Sequence, residues 1–331
     1  MTTELRIAAA VALCVTVLLE PFVLRWLRRR SVVDIPNYRS SHSGPVPRGG
    51  GIAVVIGIAA GSLAASRATW AVVAPLEAFA LLGLSDDLRP RPAALRLAAQ
   101  LFLGATAGVA AAWVLDIPEP SMAAQILLGA VAIPAAVNAV NFMDGIDGMT
   151  GLNALVSGGL LAIAAQHAGA GEIAVVAVAI AAAGIGFLPW NMVAARVFLG
   201  DVGSYGIGAG LGICAVAIWF AGGGALAAVG PLALYFADTG FVILRRLARR
   251  ESILEAHRDH VYQRLTDLGF SHVQVAFFTA CASACIGGLS LLAGWTGSIR
   301  IAPLAGAMAL LLTYMSSPAL LRSAANRSGD R

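Results

Sequence analysis

The sequence predicts an all-α polytopic membrane protein with about eleven transmembrane helices, and three observations carry that prediction. Hydrophobic residues make up 59% of the 331 and charged residues only 12%, too few charges to solvate a globular surface of this length. Apolar stretches of about 18 residues or more recur along the chain, each long enough to cross a roughly 30 Å hydrocarbon core as a helix, which also excludes a barrel. The polar clusters between them are all too short to form a soluble domain, so residues 1–331 read as a single membrane domain.

The spans fall near 5–24, 50–66, 69–85, 93–115, 122–141, 151–167, 172–189, 204–220, 224–244, 273–294 and 300–319. The first has no basic region before it and Arg25, Arg28, Arg29 and Arg30 after it. That order is opposite to a cleaved signal and places the N-terminus outside. The breaks at Ser66–Ala68 and at Gly222–Gly224 are the thinnest, and a miscount at either would reverse the parity of everything downstream.

Span parity assigns one face to loops 25–49, 85–92, 142–150, 190–203 and 245–272 and to the C-terminal tail. With Arg96, these segments hold every arginine except Arg6, Arg67 and Arg300, which is 19 of the 22 basic residues. The positive-inside rule makes that face cytoplasmic. None of the basic residues is lysine, so lysine chemistry is excluded. Cys14, Cys214, Cys281 and Cys285 lie in apolar segments without metal spacing and read as packing residues.

Four polar clusters occupy the arginine-rich face. In PNYRSSHSGPVPRGGG, Arg39, His42 and Arg48 could bind phosphate, with Gly49–Gly51 offering backbone N–H groups at a helix start; an ordinary basic turn would look similar. The adjacent carboxylates of Asp86 and Asp87 repel unless they are solvated, face arginines or share a cation. In NAVNFMDGIDGMTG, the amides Asn138 and Asn141 and the acids Asp144 and Asp147 recur at intervals of three, more than one Asx turn requires. In FLGDVGSYGIG, Asp201 sits between glycines that let a ligand approach the backbone, and Ser204 could cap the next helix. The bland reading makes both residues caps and Gly206, Gly208, Gly210 and Gly212 packing surfaces.

Asp238, inside an apolar span, is either a buried partner or part of a site. The basic segment EAHRDHVYQRL adds His257, Arg258, His260, Tyr262, Gln263 and Arg264. Two histidines without a cysteine make zinc a poor candidate and contact with phosphate or substrate a better one. Carboxylates and amides without thiols suit Mg2+, while arginines with glycine-rich turns suit phosphates. Together they indicate magnesium-dependent phosphoryl transfer at the membrane surface. A secondary transporter would share the helices and the buried acids Glu20, Glu77 and Asp238. Its site, however, would lie near the midplane between related halves, and no halves are visible.

In order along the chain, Asp86-Asp87, NAVNFMDGIDG, FLGDVGS, Asp238-Thr239 and the histidine-containing segment resemble the polyprenyl-phosphate N-acetylhexosamine-1-phosphate transferase family. The resemblance implies a bacterial inner-membrane enzyme with ten or eleven helices and a cytoplasmic active site. Such an enzyme passes a sugar-1-phosphate from a UDP-N-acetylhexosamine to undecaprenyl phosphate and releases UMP, at the start of lipid-linked O-antigen or cell-wall glycan synthesis. It implies Mg2+, replaceable by Mn2+, at Asp201, with Asp86 and Asp87 as further ligand candidates and as the pair that binds or activates the lipid phosphate. Asn141, Asp144 and Asp147 match residues near the nucleotide-sugar, Phe198 matches an aromatic that stacks on uracil, and His260 matches a catalytic histidine. A homodimer is compatible with the family, and no nucleic-acid partner is expected. The chain departs from the family's His-x-His-His element, reading His260, Val261, Tyr262, Gln263, and has Ala94 where some relatives carry lysine. These departures suggest an altered sugar pocket, such as one for a 6-deoxy-N-acetylhexosamine.

Overall fold

The computed structural model describes residues 1–34, 44–116, 121–193, 195–251, 258–295 and 301–329. Among them, ten helices are long and apolar enough to cross a membrane, and an eleventh apolar helix, α2, has 15 residues. In chain order the helices are α1 (Thr3–Arg29), α2 (Gly51–Ala65), α3 (Trp70–Leu88), α4 (Ala93–Val114), α5 (Met122–Met143), α6 (Met149–His167) and α7 (Gly171–Leu188). They continue with α8 (Gly200–Phe220), α9 (Ala225–Val229), α10 (Ala233–Ala248), α11 (Val261–Asp267), α12 (His272–Trp295) and α13 (Ile301–Gly329). Each expected span is present as helical structure, the ninth in two helices.

One expected break is present and two local features were not expected. Ser66 adopts an extended conformation that ends α2, and one 3-10 turn at Arg67–Thr69 leads directly into α3, so the thinnest break is real. The ninth span is not continuous: α9 gives way to a 3-10 turn at Gly230–Leu232 before α10 begins. Pro231 explains the interruption, because it has no N–H to donate and its ring crowds the preceding turn. Finally, β1 (Val33–Asp34) and β2 (Val46–Pro47) form a short antiparallel pair that closes the first loop.

Helix α8 is the axis of the bundle, buried along nearly its whole length. Its glycines admit neighbours on several sides: Gly206 faces Val55 of α2, Gly208 faces Val137 of α5, and Gly210 faces Ile180 of α7 and Leu76 of α3. The packing reading of this glycine row is therefore correct, and it lets helix backbones approach where lipid supplies no hydrophobic drive. Gly51 and Gly203 also meet backbone to backbone, and a Cβ on Gly51 would stand 2.3 Å from the Gly203 Cα. Backbone on both sides cannot yield, so Gly51→Ala is expected to destabilise by about 3 kcal/mol or more. A thermal melt in detergent checks this, with Gly159→Ala, which meets open space, as the neutral control.

The parity expected from the sequence agrees with the contacts. Arg48, at the start of α2, pairs with Asp87, at the end of α3, and with Asp201, at the start of α8. Asn141 of α5 bonds to Asp201, and Tyr262 of α11 bonds to the Phe142 carbonyl. All five predicted loops thus meet on one face, and α2 crosses to the other.

Candidate active site

The N-terminus of α8 builds the centre of this face. Asp87 Oδ1 accepts the Asp201 N–H at 3.0 Å and Oδ2 accepts the Val202 N–H at 2.9 Å, satisfying two of the donors that a helix start leaves free. Gly200 makes the approach feasible. Its φ is +76°, and a Cβ there would fall 2.7 Å from Asp87 Oδ2. Asp87 also receives Arg48 Nε at 2.8 Å, while Arg48 Nη2 donates to Asp201 Oδ1 at 2.6 Å. One guanidinium therefore joins two carboxylates that are distant in sequence. Burial works against the charge on Arg48, but Asp201, Asp87 and Asp34 outweigh it and raise its pKa.

Asp86 and Asp87 escape mutual repulsion by turning to different cations. Asp86 Oδ2 takes Arg96 Nη1 at 2.6 Å and its Oδ1 takes the Arg91 N–H at 2.8 Å. Asn141 completes the centre by donating to Asp201 Oδ1 at 3.1 Å and to Ser204 Oγ at 2.9 Å. Ser204 thus acts less as a cap than as the anchor of this amide. Asn138, one turn deeper in α5, is committed to Gln100 Oε1 and the Pro134 carbonyl, both at 2.7 Å. It braces α4 against α5.

The 144–148 turn forms the second wall. Thr150 donates to Asp144 Oδ1 at 2.6 Å, and burial pushes the Asp144 carboxyl up to about 7 against the pull of that hydroxyl. Asp147 Oδ2 lies 2.9 Å from His272 Nδ1, at the start of α12. Tyr262 is buried above the turn, its hydroxyl donating to the Phe142 carbonyl at 3.2 Å, and a Cβ on Gly145 would strike that hydroxyl. Buried His260 stands beside Asp238, Nδ1 to Oδ1 3.3 Å, and Asp238 also accepts the Val261 N–H. Asp238 is thus the buried partner of His260 and the anchor of α11.

Phe198 contributes its backbone. Its N–H donates to the Pro47 carbonyl, and its carbonyl accepts both Gly49 N–H and Gly50 N–H, sewing the first loop to the loop before α8. Arg258 pairs with Asp267 across α11, and Arg264 is partly buried on the same helix. Arg39, His42 and His257 lie outside the described residues.

Three residues escaped sequence reading. Asn191, buried in a π-helical turn at Pro189–Val193, accepts the Gly148 N–H at 2.7 Å and donates to the Val197 carbonyl at 3.0 Å. It ties the 144–148 turn to the Phe198 segment, and a π turn of this kind often marks a functional site. Its only signal was an amide at the end of an apolar run. Asn191→Ala frees a buried donor and acceptor, for an expected loss of roughly 2 kcal/mol, readable as a lowered midpoint in a thermal melt. Gln100 and His272 were missed as partners because nothing in the sequence names the neighbour each one meets, whereas the arginines beside Asp86-Asp87 were legible as its counter-charges and Arg96 is one.

Asp201, Asp86 and Asp87 present hard oxygens of the kind Mg2+ prefers, although no cluster of three or more metal-ligating side chains is preformed among the described residues. The donor chemistry fits an ion that takes one or two carboxylates and completes its shell with water and substrate phosphates. Both oxygens of Asp87 and both of Asp86 already accept, which leaves Asp201 as the best protein ligand.

The family model described as "Glycosyl transferase family 4" matches residues 69–219. The chain is 28% identical over 281 residues to the probable undecaprenyl-phosphate N-acetylglucosaminyl 1-phosphate transferase of Bacillus subtilis, covering 80% of this chain and 78% of that protein. It is 34% identical over 232 residues to the phospho-N-acetylmuramoyl-pentapeptide-transferase of Moorella thermoacetica, covering 62% and 73%. A third relative, the decaprenyl-phosphate N-acetylglucosaminephosphotransferase of Mycolicibacterium smegmatis, is 31% identical over 302 residues, covering 76% and 73%.

Proposed function

Since the chain belongs to glycosyl transferase family 4, as one of its polyprenyl-phosphate sugar-1-phosphate transferases, we propose that it transfers an N-acetylhexosamine-1-phosphate from a UDP-sugar to undecaprenyl phosphate. A new P–O bond forms between the lipid phosphate oxygen and the sugar-bearing phosphorus, and the bond to the UMP oxygen breaks. The observation that carries this reading is the meeting of Arg48, Asp87, Asn141 and Asp201 at the N-terminus of α8, on the face where every polar loop converges.

A phosphate monoester has a second pKa of about 6, so the lipid nucleophile is largely dianionic near neutrality and needs little help from a base. The harder task is to bring two anions together. Arg48 and Arg96 supply fixed positive charge, and the exposed part of the Arg48 side chain can reach a phosphate. Bound at Asp201, Mg2+ would neutralise the diphosphate and the departing UMP. Asp144, Asp147 and Phe198 hold the nucleotide-sugar. His260, held beside Asp238, brings its imidazole to a hydroxyl or phosphate of the substrate. The positive-inside rule places this face in the cytoplasm of a bacterial inner membrane, with the N-terminus outside.

UMP release by the purified protein that requires both a divalent cation and undecaprenyl phosphate tests the reading. Sugar binding without UMP release would favour the transporter alternative instead, and labelled protein formed from UDP-sugar without lipid would replace direct attack by a covalent step. Tyr262 and Gln263, replacing the family's histidines over the 144–148 turn, support a preference for a 6-deoxy-N-acetylhexosamine. Turnover of UDP-N-acetylglucosamine but of no 6-deoxy sugar removes that preference.

A further inference from the structure

We propose that the Arg48 guanidinium and a divalent cation are alternative partners of the Asp201 carboxylate, so that the cation's arrival releases Arg48 toward the substrate phosphates. The inference rests on the assignment of the cation to Asp201 and goes beyond it by coupling that assignment to a specific motion of Arg48.

Asp201 Oδ1 already accepts Arg48 Nη2 at 2.6 Å and the Asn141 amide at 3.1 Å. A guanidinium that close puts a full positive charge beside the carboxylate a cation would take, and like charges at such separations repel strongly in a partly desolvated site. Arg48 and the cation therefore compete for Asp201 whichever oxygen the cation takes.

The exchange gives up the 2.8 Å pair between Arg48 Nε and Asp87 Oδ1 but leaves neither oxygen of Asp87 without a donor. When Arg48 departs, Asp87 keeps the Asp201 and Val202 N–H groups, and Asn141 keeps Ser204 Oγ. Asp86 keeps Arg96 as its cation throughout. The Arg48 side chain is 38% exposed, so its head can leave for the mouth of the site without opening the core. Its backbone does not need to move. Gly49 and Gly50 donate to the Phe198 carbonyl and Gly51 donates to the Leu199 carbonyl, so the base of the side chain is fixed while the long arm swings. Arg48 is thus a positioning residue that balances the carboxylates before the cation binds and is delivered to phosphate once it has.

The test is Mn2+ binding to the purified, lipid-reconstituted protein without UDP-sugar or undecaprenyl phosphate, read from the electron paramagnetic resonance of free Mn2+. Arg48→Gln removes the competing charge and should lower the Mn2+ Kd at least tenfold, while Arg48→Lys keeps the charge and should stay within about threefold of the native value. A purely structural role would shift both variants alike. Asp201→Asn should abolish the site in either background. In the native protein, saturating Mn2+ should speed phenylglyoxal modification of Arg48 several-fold, as followed by peptide mass spectrometry, which keeps the test decisive if Arg48→Gln does not fold. Asp201-dependent binding that Arg48→Gln leaves unchanged or weakens overturns the exchange while sparing the cation assignment. Absence of any Asp201-dependent Mn2+ binding overturns both.

Discussion

Asp201→Asn is expected to lower turnover by a factor on the order of 10³ or more, whereas His260→Ala should cost roughly ten- to a hundredfold. The asymmetry follows from position. Asp201 is where α3, α5, α8 and the first loop are joined through Asp87, Asn141 and Arg48. An amide in its place can still accept from Arg48 and Asn141, so the local structure should survive. It loses the charge that balances Arg48 and would hold a cation beside the diphosphate. His260 stands on the opposite wall, engaged by Asp238, and the lipid phosphate needs little base catalysis. UMP release by each variant, with retention on gel filtration as the folding control, gives the comparison. Equal activity in the two would remove Asp201 from the centre of the mechanism.

What the sequence reveals about this molecule is set by which physical signals are local. Apolar runs of span length are local, and each expected span appears as helical structure, α2 included although it is short. Arginine placement with span parity is nearly so, and it correctly sends five loops to one face. The interruption at Gly230–Pro231 was legible in principle, yet a proline alone does not separate a kink from a full break: Pro21, Pro75 and Pro134 sit inside continuous helices. Partner identity is not local at all. Nothing in GLSDDLRPRP shows that Asp86 turns to Arg96 while Asp87 caps a helix more than a hundred residues on. Likewise Asn138 and Asn141 look equivalent by spacing, but half a bundle separates their roles: one braces α4 and the other reaches Asp201. Asn191 and His272 were silent for the same reason, since single polar residues acquire meaning only from what the fold brings to them.

Asp144 is the second position at which a conservative change should have a large effect, and stability and activity should move in opposite directions. The folded protein holds its carboxyl up to about 7, against an ordinary aspartate value of 3.8, chiefly through burial. Between those values the folded state keeps a proton that the unfolded chain has released. Stability therefore falls as pH rises from about 4 to 7, and above that the loss is complete. Asp144→Asn has no charge to bury and can still accept from Thr150. It should be more stable than the native protein at pH 8, by roughly 1 to 3 kcal/mol, and the gain should shrink at pH 5. Melting temperatures in detergent at the two pH values read this directly. Activity should respond in the other direction if, as proposed, this carboxylate meets the nucleotide-sugar in its ionised form, so that kcat/KM climbs through about pH 7. The lipid phosphate adds its own limb near 6, and only that limb should survive in Asp144→Asn. A variant that melts lower at pH 8 and keeps the native pH profile would show instead that this carboxyl is structural.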